Sequence, residues 1–370
     1  MNEWKTVRLG DVCILEKGQQ IDTSLLDDSK PFRYINGGIK ESGYFDNFNT
    51  SGESVLISEG GASCGYINYV NENFWCGCHC YRLHDIKVFP KYLFHALKAN
   101  QQRIMALRTG SAMPNIQKST IQKFELKIHD DSTTQKKVST MLDKCNELIE
   151  KHKQTLEKYD TLIKSRFIEM FGDNPTKNEK CKVEKLGNLG LCKNGMNFSY
   201  EDNGFEINCL GVGDFKDNAV ISNCENLPVI SLNEKPSEEY LLKDNDIIFV
   251  RSNGNKELVG RSVLVHPRVL TTFSGFCIRF RLSTDSINHL FLLQFLKMPN
   301  TRKNMAGRGA NIQNLNQQIL SNLDIPVPQI EFQNDFAAFV QQIDKSKFAV
   351  QKSLEKTETL YKSLMQRYFA

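Results

Sequence analysis

The sequence predicts an α+β chain: two tandem, structurally similar α/β domains, each followed by a long helix, the two helices pairing as an antiparallel coiled coil. Three observations carry this expectation. The chain repeats itself, each copy closes on a long apolar seam of helical spacing, and the segments before the seams are short β-rich runs broken by Gly, Asn and Asp. A length of 370 residues exceeds one typical core and suits two domains with connecting structure. The expected boundaries are residues 1–133 for the first domain, 134–172 for the first helix, 173–331 for the second domain and 332–370 for the second helix.

Self-comparison is the first test for a multi-unit chain. Leu156-Glu157-Lys158, Thr161-Leu162, Lys164-Ser165 and Phe171 recur as Leu354-Glu355-Lys356, Thr359-Leu360, Lys362-Ser363 and Phe369, every one shifted by 198 positions. Upstream, Asn115-Ile116-Gln117 recurs as Asn311-Ile312-Gln313 at an offset of 196, and Leu9-Gly10 and Lys17-Gly18 are echoed by Leu186-Gly187 and by Lys193 and Gly195. The whole chain reads as a duplication. Because the offset grows from 177 to 198, the second copy carries about 21 extra residues, which must lie between Gly187 and Gly275.

In the first domain, Ser54-Val55-Leu56-Ile57 reads as a strand and Tyr92 to Lys98 as a helix. The first long helix is expected from about Gln135 to Phe171. Its seam, Val138, Leu142, Cys145, Ile149, His152, Leu156, Tyr159 and Ile163, alternates spacings of four and three. Gly172 and Pro175 then supply a C-cap glycine and a breaker. The second domain offers strands at Asp246 to Val250 and Cys277 to Phe280 and a helix at Leu290 to Lys297. Its long helix repeats the seam 198 residues on, as Phe336, Val340, Ile343, Lys347, Val350, Leu354, Thr357 and Tyr361. At about 1.5 Å per residue each helix would run about 55 Å, longer than a small domain needs to cover its own core. The residues expected to pack helix on helix are therefore Val138, Leu142, Ile149, Leu156 and Ile163 against Phe336, Val340, Ile343, Val350, Leu354 and Tyr361.

Charge is informative by its distribution, since the net value is only +4. Between Ile86 and Phe124 stand seven Lys or Arg residues and no Asp or Glu; Ser286 to Leu323 repeats the bias with Lys297, Arg302, Lys303 and Arg308. Acid-free basic segments interleaved with Asn, Gln and Ser suit a surface facing double-stranded DNA, where cations meet phosphates and amides meet base edges. The candidate contact residues are Lys98, Arg103, Arg108, Ser111, Asn115, Gln117 and Lys118 in the first copy. In the second they are Arg302, Lys303, Arg308, Asn311 and Gln313, with Arg251, Ser252, Asn253, Asn255 and Lys256 as a further reading loop. The counterpart of that loop, Glu59-Gly60-Gly61-Ala62-Ser63, has different chemistry, so two copies would read two different half-sites, spaced by the helix pair.

Other classes find little support. No amino-methyltransferase signature and no phosphate-binding Gly-x-x-x-x-Gly-Lys-Ser/Thr loop occurs, so no catalytic residue is assigned. Glu125-x-Lys127 imitates half a nuclease motif but sits in the alternation of a strand. Cys76, Cys78, His79 and Cys80 invite a zinc reading but lack a second ligand cluster, and the cysteines, two apart, read as one face of a core strand, so no metal site is assigned. Asp244-x-Asp246 reads as the turn into an apolar strand, and His152 as a packed seam residue. Eleven cysteines without paired spacing point to reduced thiols, and the most apolar run, His289 to Leu296, is too short to span a bilayer. With no apolar signal segment at Met1 to Lys5, a cytoplasmic location without membrane association is expected.

Gly110-Ser111-Ala112-Met113-Pro114-Asn115-Ile116, a short strand and then Gln135 opening a long helix resemble the domain ending of type I restriction-modification specificity subunits. Gly307 to Ile312, Leu323-Asp324-Ile325-Pro326-Val327-Pro328, Glu331 and Gln333 resemble that ending more closely, and the openings Trp4 to Val12 and Val183 to Leu189 also fit. Lys127-Ile128-His129 departs from the Pro-x-Pro strand end. The resemblance implies two target-recognition domains reading a split, asymmetric DNA site and no catalysis in this chain. It also implies docking with two methyltransferase subunits using S-adenosylmethionine and two restriction subunits using ATP and Mg. A recognition subunit of a related restriction system and a two-domain protein-interaction scaffold are the alternatives, the latter separable by the steep salt dependence of phosphate-driven binding.

Overall fold

In the computed structural model, residues 4–110, 112–177, 181–199, 202–215, 219–305 and 314–369 are described. The chain divides into two compact units, Met1–Thr155 with Val350–Ala370, and Leu156–Ala349.

The first unit opens with β1 (Trp4–Arg8), α1 (Leu9–Val12), β2 (Ile14–Lys17), β3 (Phe32–Ile35) and β4 (Gly43–Phe45). It continues through β5 (Ser54–Ser58), β6 (Ile67–Val70), β7 (Trp75–Cys76) and β8 (Cys80–His84). Three helices follow, α2 (Pro90–Ala99), α3 (Gln101–Met105) and α4 (Lys118–Gln122), then β9 (Glu125–His129) and the 40-residue α5 (Ser132–Phe171). β1 pairs antiparallel with β9; β2, β8, β5 and β6 form a four-stranded antiparallel sheet; β4, β3 and β7 form a three-stranded one in which β3 and β7 are parallel.

The second unit repeats this plan. Its elements are β10 (Lys182–Lys185), α6 (Leu186–Leu189), β11 (Gly190–Asn194), β12 (Phe205–Leu210), β13 (Val220–Ile221) and β14 (Val229–Leu232). β15 (Asp246–Val250), β16 (Ser262–Val265), β17 (Thr271–Phe273) and β18 (Cys277–Leu282) complete its sheets. It closes with α7 (His289–Lys297), α8 (Pro299–Met305), α9 (Gln317–Ser321), β19 (Asp324–Val327) and α10 (Ile330–Phe369). The sheets are β10-β19, β14-β12-β17 and β11-β18-β15-β16-β13, the last being the first unit's four-stranded order with β13 added parallel to β16. Most of the extra length falls here: the offset is 173 between the starts of β3 and β12 and 192 between those of β5 and β15.

Local causes are legible. In β9, Leu126 and Ile128 are buried while Glu125 and Lys127 face out, the period of two that a half-buried strand imposes. Pro90 opens α2, where a missing N–H costs nothing. Asn288 caps α7, its side-chain oxygen accepting from Leu290 N at 2.9 Å. The Asp131 carboxylate accepts from the first free amides of α5, at Thr133 and Thr134. Gly172, at φ +86°, ends α5 by donating its N–H to Ile168 O at 2.8 Å.

One buried glutamine seats each long helix on its own body. Gln135, the fourth residue of α5, donates to His129 O (2.6 Å) and accepts from Phe89 N (2.9 Å). Gln333, the fourth of α10, donates to Pro328 O (2.7 Å) and accepts from Asn288 N (2.8 Å). Both amides thus consume donors and acceptors that strand end and helix start would otherwise bury unpaired.

The far end of each helix serves the other copy. In the second unit Phe167 and Phe171 of α5 pack with Phe291 and Phe336, ring centroids 4.7–5.8 Å apart. In the first unit Phe369 of α10 lies 5.1 Å from Tyr92 and joins the core with Leu93, Leu97, Val138 and Leu142. Within each unit the helices run antiparallel, Asn146 meeting Tyr361 in one and Asp160 meeting Lys347 at 2.6 Å in the other. Val138, Leu142, Ile149, Ile163, Phe336, Val340 and Leu354 are buried, and Leu156, Ile343, Val350 and Tyr361 are half-buried.

Several expectations change. The two compact units cut across both long helices, whose end aromatics complete the body cores, a division distinct from that between bodies and helices at 133/134 and 331/332. The seam residues Val138, Leu142, Phe336 and Val340 belong to those cores as well. The six short helices α1, α3, α4, α6, α8 and α9 escaped periodicity, having four to seven residues each. Cys76, Cys78 and Cys80 do not share a strand face: Cys76 ends β7, Cys80 starts β8, both are buried, and Cys78 sits in the intervening turn with its thiol 2.9 Å from Gln20 Oε1. All eleven cysteines are free thiols. Asp246 is filled by Arg281, which donates to both its carboxylate oxygens at 2.7 Å. Among the described residues no His, Cys, Asp and Glu group could hold a metal ion, and no helix is long and apolar enough to cross a membrane.

Candidate nucleic-acid interface

In each unit the same two loops are bound together by main-chain hydrogen bonds. In the first, the loop after β5 meets the loop before α4: Ile116 N donates to Glu59 O and Gly61 N to Pro114 O, both at 2.9 Å. Thr109 and Asn115 exchange two further backbone bonds of 2.9 Å, and Ile116, fully buried, anchors the loop. In the second unit Leu315 N donates to Arg251 O at 2.8 Å, Ser252 bridges to Asn314, and Leu315 is the buried anchor.

This register corrects the sequence alignment. Asn115-Ile116-Gln117 corresponds to Asn314-Leu315-Asn316, an offset of 199, rather than to the identical triplet Asn311-Ile312-Gln313. The reason is the helix start: Gln117 and Asn316 occupy the N-cap positions of α4 and α9, and the buried anchor must precede the cap.

A third strand of each surface comes from the turn before β8 or β18. Glu59 N donates to His79 O, and Arg251 N donates to Phe276 O, both at 2.8 Å. His79 and Phe276 therefore hold one position in the two copies, and both are exposed, Phe276 by 63 %. Sequence drew attention to His79 only as part of a cysteine cluster weighed as a zinc site, and passed over Phe276, because an isolated Phe in a turn carries no periodic signal. The chain entering the turn passes so close that a Cβ on Gly18 would stand 2.3 Å from Cys76 O, and one on Gly195 2.1 Å from Ser274 O, which explains the glycine at both positions.

The loop chemistries differ as expected. Glu59 is buried with Lys17 at 2.7 Å and the Tyr81 hydroxyl at 3.0 Å; burial and this carboxylate push the Tyr81 phenol well above its ordinary range. At the same register Arg251 is half-buried, one guanidinium nitrogen 3.3 Å from Gly275 O. Asn253 accepts from Asn255 N (2.8 Å) and Asn255 from Glu257 N (3.0 Å), successive Asx turns that leave Asn255 and Lys256 exposed.

The remaining candidates divide. Arg108, Gln117, Lys118 and Lys303 are exposed. Arg103 is exposed but bonded to Asn100 at 2.6 Å. Lys98 turns inward, its ammonium 3.9 Å from the Tyr66 ring centroid and bonded to Ile67 O and Gln101. Arg302 is half-buried and ties α8 to Glu257 O at 2.6 Å and Val259 O at 3.3 Å. Ser111, Arg308, Asn311 and Gln313 lie outside the described residues.

Comparison with known proteins adds an independent finding. A family model for the type I restriction modification DNA specificity domain matches residues 1–158 and again residues 178–358. A Mycoplasma genitalium protein named among the type I specificity subunits is 31 % identical over 150 residues, 40 % of this chain and 39 % of that protein. The chain spans about two fifths of the length of that relative and of a Mycoplasma pneumoniae one, 39 % and 44 %. The type I restriction enzyme StySPI specificity subunit of Salmonella potsdam is 24 % identical over 314 residues, 80 % of this chain and 67 % of that protein. Among solved structures, the type I restriction-modification system S subunit from M. genitalium superposes with a TM-score of 0.72 at 20 % identity, covering 100 % of this chain and 96 % of that one, which shows the shared fold.

Proposed function

Because the chain belongs to the type I restriction-modification DNA specificity family, we propose that it is the non-catalytic subunit that reads a split, asymmetric DNA site, one half with each unit. The observation that carries this reading is the pair of equivalent loop surfaces with different side chains at matched positions: Glu59 and His79 in one unit, Arg251 and Phe276 in the other. An identical scaffold with unlike contact residues is what two half-sites of different sequence require, since phosphate contacts position a protein and base-edge contacts specify. Arg251, Asn253 and Asn255 are the readers of the second half, Arg and Asn being suited to guanine and adenine edges. Asn115, Gln117 and His79 serve the first half, with Arg108, Lys118, Lys256 and Lys303 neutralising phosphates. Lys98 and Arg302, occupied inside their units, are left out of this surface.

In this reading catalysis belongs to partners. Two methyltransferase subunits would supply S-adenosylmethionine chemistry on adenine, and two restriction subunits would use ATP and Mg. Co-expression with the modification partner and genome-wide mapping of adenine methylation tests it. The expected result is one bipartite motif methylated in both halves. A stable complex that methylates a contiguous motif, or retention of binding to duplex DNA independent of salt, contradicts it.

A further inference from the structure

One turn position differs in kind between the two loop surfaces. His79 and Phe276 each accept, through the main-chain carbonyl, from the residue that follows β5 or β15, Glu59 or Arg251. The ring nitrogens of His79 can donate to or accept from a polar base edge, whereas the Phe276 ring has neither donor nor acceptor. Phe276 is nonetheless 63 % exposed, more than any other phenylalanine of the two bodies among the described residues. It enters none of the cores of its unit.

Single exposed rings are common on protein surfaces, but this one is held out by a fixed turn. Cys277 N donates to Ser274 O (2.8 Å), Phe276 N to Ser274 Oγ (3.3 Å) and Gly275 N to Met196 O (2.6 Å). Phe276 O accepts from Arg251 N at 2.8 Å and from Ser252 N at 3.4 Å. The Arg251 guanidinium is tied to the same turn, 3.3 Å from Gly275 O. An apolar ring and a guanidinium fork thus stand side by side on one rigid support.

The major-groove edges of base pairs present donors, acceptors and one apolar group, the C5-methyl of thymine. A side chain that cannot hydrogen-bond discriminates between edges only through that methyl. An aromatic ring can also wedge between base steps from the minor groove. Arg251 and Asn253 beside it are suited instead to the major-groove edges of guanine and adenine. We propose, resting on the DNA-reading assignment above, that Phe276 reads the C5-methyl of a thymine in the second half-site. That thymine lies at the base pair contacted by Arg251 or the next one, since the two residues are joined by a main-chain hydrogen bond and successive nucleotides of a strand are about 3.4 Å apart. His79 makes no such demand on the first half-site.

The test is a double-mutant cycle between protein and DNA. The full chain, co-expressed with its modification partner, is titrated with a duplex carrying the mapped methylation motif. Each thymine of the second half is replaced in turn by deoxyuridine, which removes only the methyl group. For the parent, one replacement should weaken binding about 3- to 10-fold, the effect of losing one buried methyl contact. Phe276→Ala and Phe276→His should bind thymine and deoxyuridine duplexes equally, while Phe276→Leu, still apolar, should keep the preference. The first copy carries histidine at this turn position, so Phe276→His should fold as the parent does. A parent indifferent to every replacement, including one weakened by Phe276→Ala as a wedge between bases would be, overturns the proposal. So does a methyl preference that survives in Phe276→Ala. In both cases a parent that prefers the motif to an unrelated duplex, with Arg251→Ala lowering that preference, leaves the DNA-reading assignment standing. A parent with no preference for the motif removes that assignment and the role of Phe276 together.

Discussion

Glu59 and Arg251 occupy one backbone position in two copies of one fold, and under the proposed function the difference between them carries specificity. Arg251→Ala removes a donor fork suited to a base edge, so binding of the specific duplex should weaken about 10- to 100-fold while the salt dependence stays the same, measured by fluorescence titration at several salt concentrations. The seating glutamines act on stability instead. Gln333→Ala leaves Asn288 N and Pro328 O unpaired in a buried setting and should cost about 1–3 kcal/mol by denaturant unfolding. A third residue effect depends on pH. Burial raises the Asp143 carboxyl, but hydrogen bonds and charge from His95 and Lys91 outweigh it and hold the group below its usual value of 3.8. A carboxyl lowered on folding adds stability above its unfolded value and loses it as pH falls through the folded one. The stability difference between parent and Asp143→Asn should therefore be present above about pH 4 and fall away only as pH drops below 3.8, through the lower folded value, measured by denaturant unfolding down to about pH 2. At this scale sequence and structure part company. Arg251 stood out by its neighbours Ser252 and Asn253, whereas Phe276, and His79 as its counterpart, become visible only once hydrogen-bond register aligns the copies, and Lys98 was drawn to the surface by a charge count that cannot see the Tyr66 ring.

Among the elements, the long helices and the strands of strong alternation were legible because burial on one face writes a period into the sequence. Helices α5 and α10 differ from their expected starts by a few residues at most, and β15 coincides with the apolar run Asp246 to Val250. The short helices were not, since four to seven residues complete at most two turns. The 198-residue identity of Phe171 and Phe369 was read as repetition alone, yet its physical cause is reciprocal: each aromatic ends a helix that began in one copy and fills the core of the other unit. Phe369→Ala should accordingly destabilise the first unit, speeding hydrogen exchange in α2 and β9, while Phe171→Ala does so in α7 and β19. Each should cost about 3–5 kcal/mol, the range for emptying a buried aromatic site.

For the whole molecule, duplication with divergence explains why one chain can carry two unlike loop surfaces on one scaffold. The repeat was legible end to end, but its fine register was not: the identical Asn-Ile-Gln triplets misled by three residues because the cap and anchor positions of α4 and α9, not residue identity, set the alignment. The insertion that builds β13 was bounded correctly by the drift in offset. The most direct measurement replaces residues 182–327 with the corresponding segment of a relative of different specificity, keeps the first unit's body unchanged, and maps adenine methylation after co-expression with the modification partner. The expected result is a bipartite motif in which one half changes and the other is retained. A motif altered in both halves, or in neither, would contradict the claim that each unit reads its own half of the site.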